Sequence, residues 1–236
     1  MEITLSIVGT AGRKDDAKRL SKKHFEAMCV VANGLITQCK EINYPISTLV
    51  SGGAAWADHV AVTLFLEKKA PHLRLFLPCE FVGGSFRDNG NTDAYKNPGG
   101  TANYYHRQFQ KNTGINSLTQ LQIAAAEGAE LINVAKGFHA RNALVAKSDF
   151  LLAMTFGKEN QVKDGGTAHT VECYLSRVKK EGFFDKSFHY DLSSGKIFVG
   201  CTLPNKEDIN DKADATILAR RSFNNFFGKS PPVKKP

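Results

Sequence analysis

The sequence predicts an α/β fold: a mostly parallel sheet with helices on both faces. Three observations carry the prediction. Short apolar runs alternate with segments of helical period along most of the 236 residues. The run "DFLLAMTFG" (Asp149 to Gly157) is apolar at nearly every position, as a strand covered on both faces requires. Glycine-bearing turns follow several of the strands.

Ile3, Leu5 and Ile7 alternate ahead of Gly9 and define the first strand. Asp15 and Asp16 precede a helical pattern that aligns Leu20, His24, Ala27, Met28, Val31 and Leu35, with the acids at its positive end. "TLVSG" is a second short strand. The helix after it places Ala57, Val60, Ala61, Leu64 and Phe65 at i, i+3, i+4, i+7 and i+8, a single apolar stripe. "LRLFLPCEF" reads as a third strand stopped by Pro78, and Asp149 to Gly157 as the fourth. Between them Val82 to His139 is the least regular part, rich in Gly, Asn, Asp and aromatic residues. It reads as an insertion carrying a long functional loop, then a helix capped by Ser117 and a short helix after "KGFHARN". "FHYDLSSGKIFVG" predicts a hairpin turning at Ser194-Gly195, and a last helix is expected over 213–227. The expected organisation is a sheet domain over 1–182 with its insertion at about 82–139, a hairpin-and-helix extension over 183–228 packed on the same domain, and a disordered tail over 229–236.

Composition narrows the function classes. The chain is 42% hydrophobic and 23% charged, with no apolar run near the roughly 20 residues of a membrane span. "MEITLSIVGT" enters a strand directly, so a cytoplasmic protein is expected. The five cysteines are dispersed with no C-x-x-C, which indicates neither a disulfide framework nor a metal site. The G-x-G-x-x-G pattern is missing, so no nicotinamide or flavin cofactor is expected. The net charge of +8 favours an anionic partner. Part of that excess lies in the tail "GKSPPVKKP" and part on Lys18, Arg19, Lys22 and Lys23, which reads as a solvated face and ranks nucleic acid behind a small ligand. Homo-oligomerisation is left open.

The glycine turns are where chemistry is expected: "GTAGR" (Gly9 to Arg13), "SGGAAWAD" (Ser51 to Asp58) and "DGGTAHT" (Asp164 to Thr170). In an open parallel sheet all three emerge at the carboxyl edge, beside the topological switch point. Glycine admits a ligand to the main chain, and a helix start offers unpaired N–H groups to an anion. In the insertion, "ANYYHRQF" offers Tyr104 and Tyr105 to stack on a base, in a segment placed to act as a lid. His106 and His139 are candidate acid/base groups, against a structural role.

"IVGTAGR", "LVSGGAAWADHVA", "LRLFLPCEF", "HARNALVAKSDFLLAMTFG" and "DGGTAHTVE" resemble, in order, the motifs of the SLOG superfamily (SMF/DprA and LOG), most closely its YspA/YpsA-like branch. The match runs from Ile3 to about Arg177. It implies a Rossmann-like fold that binds nucleotides or nucleotide-derived molecules. It further implies that Gly9, Thr10 and Arg13 line one wall, that Ser51, Gly52, Gly53 and Asp58 form the second, and that Gly165, Gly166 and Thr167 make the phosphate turn. Arg141 and Asn142 stand at the R-N position and Glu80 at the strand-end acid. Trp56 stands where glycine is usual, and either crowds the pocket or stacks on a base. LOG-type hydrolases carry a glutamate where this chain has Thr170, and Glu172 falls elsewhere on the helix.

The expectation is therefore a protein that binds a nucleotide or nucleotide-derived ligand, as a sensor, a sequestering protein or an enzyme. An N-glycosidic hydrolase or transferase using Glu80 or Asp58 as catalytic carboxylate is the first alternative. A DNA-binding protein of the DprA kind is the second.

Overall fold

The computed structural model describes residues 2–93, 96–134 and 137–204. The expected last helix over 213–227 and the tail lie outside them. A seven-stranded sheet has the order β6-β3-β2-β1-β7-β8-β9. Its strands are β1 (Thr4–Gly9), β2 (Thr48–Ser51), β3 (His72–Leu77), β6 (Glu130–Asn133), β7 (Phe150–Thr155), β8 (Ser187–Asp191) and β9 (Lys196–Val199). All neighbours pair in parallel except β8 with β9, the antiparallel hairpin anticipated from "FHYDLSSGKIFVG". A separate hairpin joins β4 (Phe81–Val82) to β5 (Ser85–Phe86). The helices are α1 (Asp16–Arg19), α2 (Lys22–Glu41), α3 (His59–Leu66), α4 (Pro98–Thr113), α5 (Ser117–Ala126), α6 (Gly137–Val145) and α7 (Gly166–Glu181).

The two-residue period of the strands divides the apolar side chains between two cores. Leu5 and Ile7 of β1, Leu49 of β2, Leu75 of β3 and Leu152 of β7 face a core completed by Met28 of α2, Val60 and Leu64 of α3, Phe109 of α4 and Leu121 of α5. Val8, Val50, Leu151 and Ala153 face the other way, against Val145 of α6 and Val171 and Tyr174 of α7. Helices therefore cover both faces, and the sheet is Rossmann-like. The order in which strands are added reverses between β1 and β7, the topological switch point, where Leu5 pairs with Phe150 and Gly9 with Met154.

Three expectations change in detail. The first long helix starts at Lys22, because Leu20 is extended (ψ 137°) and Ser21 takes the N-cap position. Asp16 is consequently a buried residue ahead of the long helix rather than an acid in its first turn. The insertion is also more regular than its composition suggests. "ANYYHRQF" lies within α4, whose Asn97 cap accepts the Gly100 N–H at 2.9 Å, and "ELIN" forms β6, an additional parallel strand beside β3. The cap of α5 is Asn116, which accepts the Thr119 N–H at 3.1 Å, while Ser117 is buried against His106.

Candidate functional site

Gly9 ends β1 where no side chain fits: a Cβ there would stand 2.0 Å from the Met154 carbonyl oxygen. Past it the chain is pinned from both sides. The Thr10 N–H donates to Met154 O at 2.9 Å, and its hydroxyl donates to Asp16 at 2.6 Å while accepting the Gly12 N–H at 3.1 Å. Asp16 also binds Lys163 at 2.5 Å, which ties the first glycine turn to the loop that precedes α7. Arg13 projects from this turn and is exposed. Its guanidinium carbon lies 5.3 Å from the Tyr105 ring centroid and 5.5 Å from that of Phe138.

The second turn is built around a buried carboxylate with the Arg141 guanidinium nearby. Asp58 is 5% exposed and accepts the Ala54 N–H at 3.2 Å, while the Gly52 and Gly9 amides also act on its carboxylate. Burial raises its pKa, while Arg141 and those three donors act in the opposite sense. Arg141 donates to the Gly52 carbonyl at 3.1 Å. Burial lowers the guanidinium pKa, Asp58 raises it and Arg13 lowers it further; arginine nonetheless stays charged. Gly52 lies directly over the pair, since a Cβ would be 2.7 Å from both Arg141 Cζ and Asp58 Oδ2.

Asn142, 3% exposed, connects this pair to the third turn. Its Oδ1 accepts from Arg141 Nε and Nη2 at 3.3 and 3.1 Å, and its Nδ2 donates to Gly166 O at 3.0 Å. Gly165 (φ +121°) turns the chain into α7 without a side-chain cap, leaving its first amides beside the exposed Gly165 and Gly166 and the half-buried Thr167. The Phe138 ring stands 5.4 Å from the Arg141 guanidinium and 5.5 Å from that of Arg13. Gly9, Thr10, Arg13, Gly52, Gly53, Asp58, Arg141, Asn142 and Gly166 thus meet in one contact network at the carboxyl edge.

Other expected residues lie outside that network or touch only its margin. Ser51 is fully buried, and its hydroxyl donates to Ile7 O at 2.7 Å within the sheet. Trp56, expected to crowd the pocket or stack on a base, is 2% exposed and packs edge-on against Phe109 at 4.9 Å, so neither indole face is open to a ligand. Glu80 is exposed and pairs with Arg87 at 2.8 Å. The Thr170 hydroxyl donates back to Gly166 O at 3.1 Å, and Glu172 is exposed. Tyr104 and Tyr105 sit on a helix rather than a loop, 5.2 Å apart edge to face. His139 packs on His169 at 4.5 Å.

His106 proves to be a positioning residue of the second turn. At 1% exposure it donates from Nε2 to Gly53 O at 3.1 Å, a carbonyl being able only to accept, and so takes the Ser117 hydroxyl proton at Nδ1, at 2.8 Å. Burial foremost, then the neighbouring His59, pushes its pKa down to about 3. His59 is itself fully buried, bonds Gln120 at 2.6 Å and is pushed down to about 4 by burial. Phe138, which brings the two arginines onto one ring, carries no signal in the sequence that singles it out. The signal for His106 is its place on the buried face of α4 with Asn103, Phe109 and Thr113.

Among the described residues, no group of three or more His, Cys, Asp or Glu could hold a metal ion, and no helix is long and apolar enough to cross a membrane. No family model matches the chain. It is 37% identical over 171 residues to the uncharacterized protein R261 of Acanthamoeba polyphaga mimivirus, a match that covers 72% of this chain and 89% of the viral protein. At that identity and coverage, the chain belongs to the same family as this mimivirus protein.

Proposed function

We propose that the protein binds a nucleotide or nucleotide-derived small molecule at the carboxyl edge of its sheet. The observation that carries this reading is an excess of positive charge at one place. The Arg13 and Arg141 guanidinium groups flank the Phe138 ring beside the uncapped start of α7, and Asp58 is the buried carboxylate that acts electrostatically on Arg141. No ion pair with a carboxylate occupies Arg13 among the described residues, which suits it to an incoming anion. A phosphate set on the α7 amides would meet the helix dipole and both guanidiniums together.

Asp58 holds the second turn and Arg141, and Glu80 pairs with Arg87 at the surface. Binding is therefore the reading the side-chain geometry favours. A thermal-shift screen against mononucleotides, dinucleotides and cyclic nucleotides tests it, with mass spectrometry of each ligand after incubation. A true ligand at a hundred times its Kd stabilises the fold by about 2.7 kcal/mol. Recovery of altered ligand would make the protein an enzyme. Absence of any shift across the panel at millimolar concentration would overturn the reading.

A further inference from the structure

Beside the arginine-bearing rim lies a surface cavity of about 250 Å³, lined by Asn91, Thr92, Asn97, Thr101, Tyr104 and Tyr105. We infer that this cavity is a nucleobase subsite, which takes the planar ring of a nucleotide whose phosphates lie toward Arg13; the inference rests on the nucleotide reading above.

Size is the first argument. At about 250 Å³ the cavity falls below the roughly 300–1,000 Å³ that enclose a drug-sized ligand, and matches one ring system better than a whole nucleotide. The second argument is chemical. Tyr104 is 52% exposed, and with Tyr105 it presents two tyrosine rings at one cavity wall. An exposed aromatic ring gives any base a stacking partner. Position is the third. Tyr105 lines the cavity and also holds Arg13 at 5.3 Å from its ring centroid, so whatever stacks on this wall carries its anionic end toward a guanidinium.

Side-chain bonds brace the loop side of the cavity. Asp88 accepts the Gly90 N–H at 2.8 Å and the Asn97 amide at 2.7 Å, and Asn89 accepts the Asn91 N–H at 3.0 Å. Asn97 then caps α4 through the Gly100 N–H. The insertion thus reads the base, while the glycine turns hold the phosphates.

Calorimetric titration of the full chain with the four ribonucleoside diphosphates, and with pyrophosphate as the base-free probe, tests the inference. At least one diphosphate should bind more tightly than pyrophosphate, by roughly 5- to 100-fold, the range expected for one stacked base. Tyr104→Ala should reduce that advantage and leave pyrophosphate affinity unchanged; Tyr105→Leu should reduce it too, together with some pyrophosphate affinity because its ring also holds Arg13, and Tyr105→Phe, which keeps the ring, should restore both. Tyr104 is exposed enough for its variant to fold normally, which keeps the test open if Tyr105→Leu is unstable. Equal binding of all diphosphates and pyrophosphate, or an advantage that survives both substitutions, would overturn the subsite while leaving the phosphate site standing. Binding of neither class of probe would remove the nucleotide reading itself and the subsite with it.

Discussion

Lowering the pH should destabilise this protein through two buried imidazoles, one of which, His106, also holds the second glycine turn. His59 and His106 are 0% and 1% exposed, with ring centroids 6.1 Å apart, and burial holds their pKa values down to about 4 and about 3. In the unfolded chain each returns to an ordinary value near 6.5. Above that pH both rings are neutral in both states and folding is unaffected. Below it the unfolded chain binds two protons that the folded protein refuses, so stability falls as the pH drops from about 6.5 toward 4. The loss reaches about 3 kcal/mol per ring by pH 4, and the steepest slope is about 2.7 kcal/mol per pH unit for the pair. That is a large share of the 5–15 kcal/mol typical of a folded domain. Urea midpoints measured from pH 7 to 4.5 should show the decline. In His106→Gln the slope should fall by about 1.4 kcal/mol per pH unit, because carboxylates titrate alike in both proteins. NMR titration should show neither His59 nor His106 protonating above pH 5. An unchanged slope in the variant, or a normal titration of either ring, would refute the reasoning.

Other substitutions separate architecture from binding. Gly52→Ala forces a Cβ to within 2.7 Å of Asp58 Oδ2 and Arg141 Cζ, and should cost about 1–3 kcal/mol in chemical denaturation along with most of the ligand affinity. Asp58→Ala removes the buried carboxylate that offsets the Arg141 charge and leaves the Ala54 N–H without its acceptor, so a loss of about 1–3 kcal/mol is expected from urea midpoints. Arg13→Ala should leave the midpoint within about 0.5 kcal/mol of wild type. The same change should weaken nucleotide binding by about 1.5–3 kcal/mol, roughly tenfold or more, as measured by calorimetry. Glu80→Gln should alter stability by less than about 1 kcal/mol and leave binding unchanged, since it removes an exposed ion pair with Arg87; lost turnover without lost binding would instead restore a catalytic role.

The sequence by itself determined the layered architecture, because strand and helix periodicities are local properties of the chain. Alternation ahead of Gly9 puts Leu5 and Ile7 on one face, and the unbroken apolar run "DFLLAMT" requires cover on both, which the structure supplies with Leu152 and Met154 in one core and Leu151 and Ala153 in the other. The glycine turns after β1 and β2 were equally readable, since Gly-rich strand ends point to backbone that a side chain would obstruct. The insertion was not. "ANYYHRQF" sits among glycines and asparagines that suggest a loop, yet Asn97 caps a helix there whose buried face docks on the core through His106 and Phe109. Only tertiary structure could bury Trp56, because its exposure depends on Phe109, 53 residues further along the chain. Only tertiary structure could set Arg13 and Arg141 on one phenylalanine and give Asp58 to backbone amides from two different strand ends. Residue type and spacing record what a segment does with its immediate neighbours. Which side chain becomes a ligand contact and which a structural strut is decided by partners far away in sequence, and so by the closing of the sheet that brings them together.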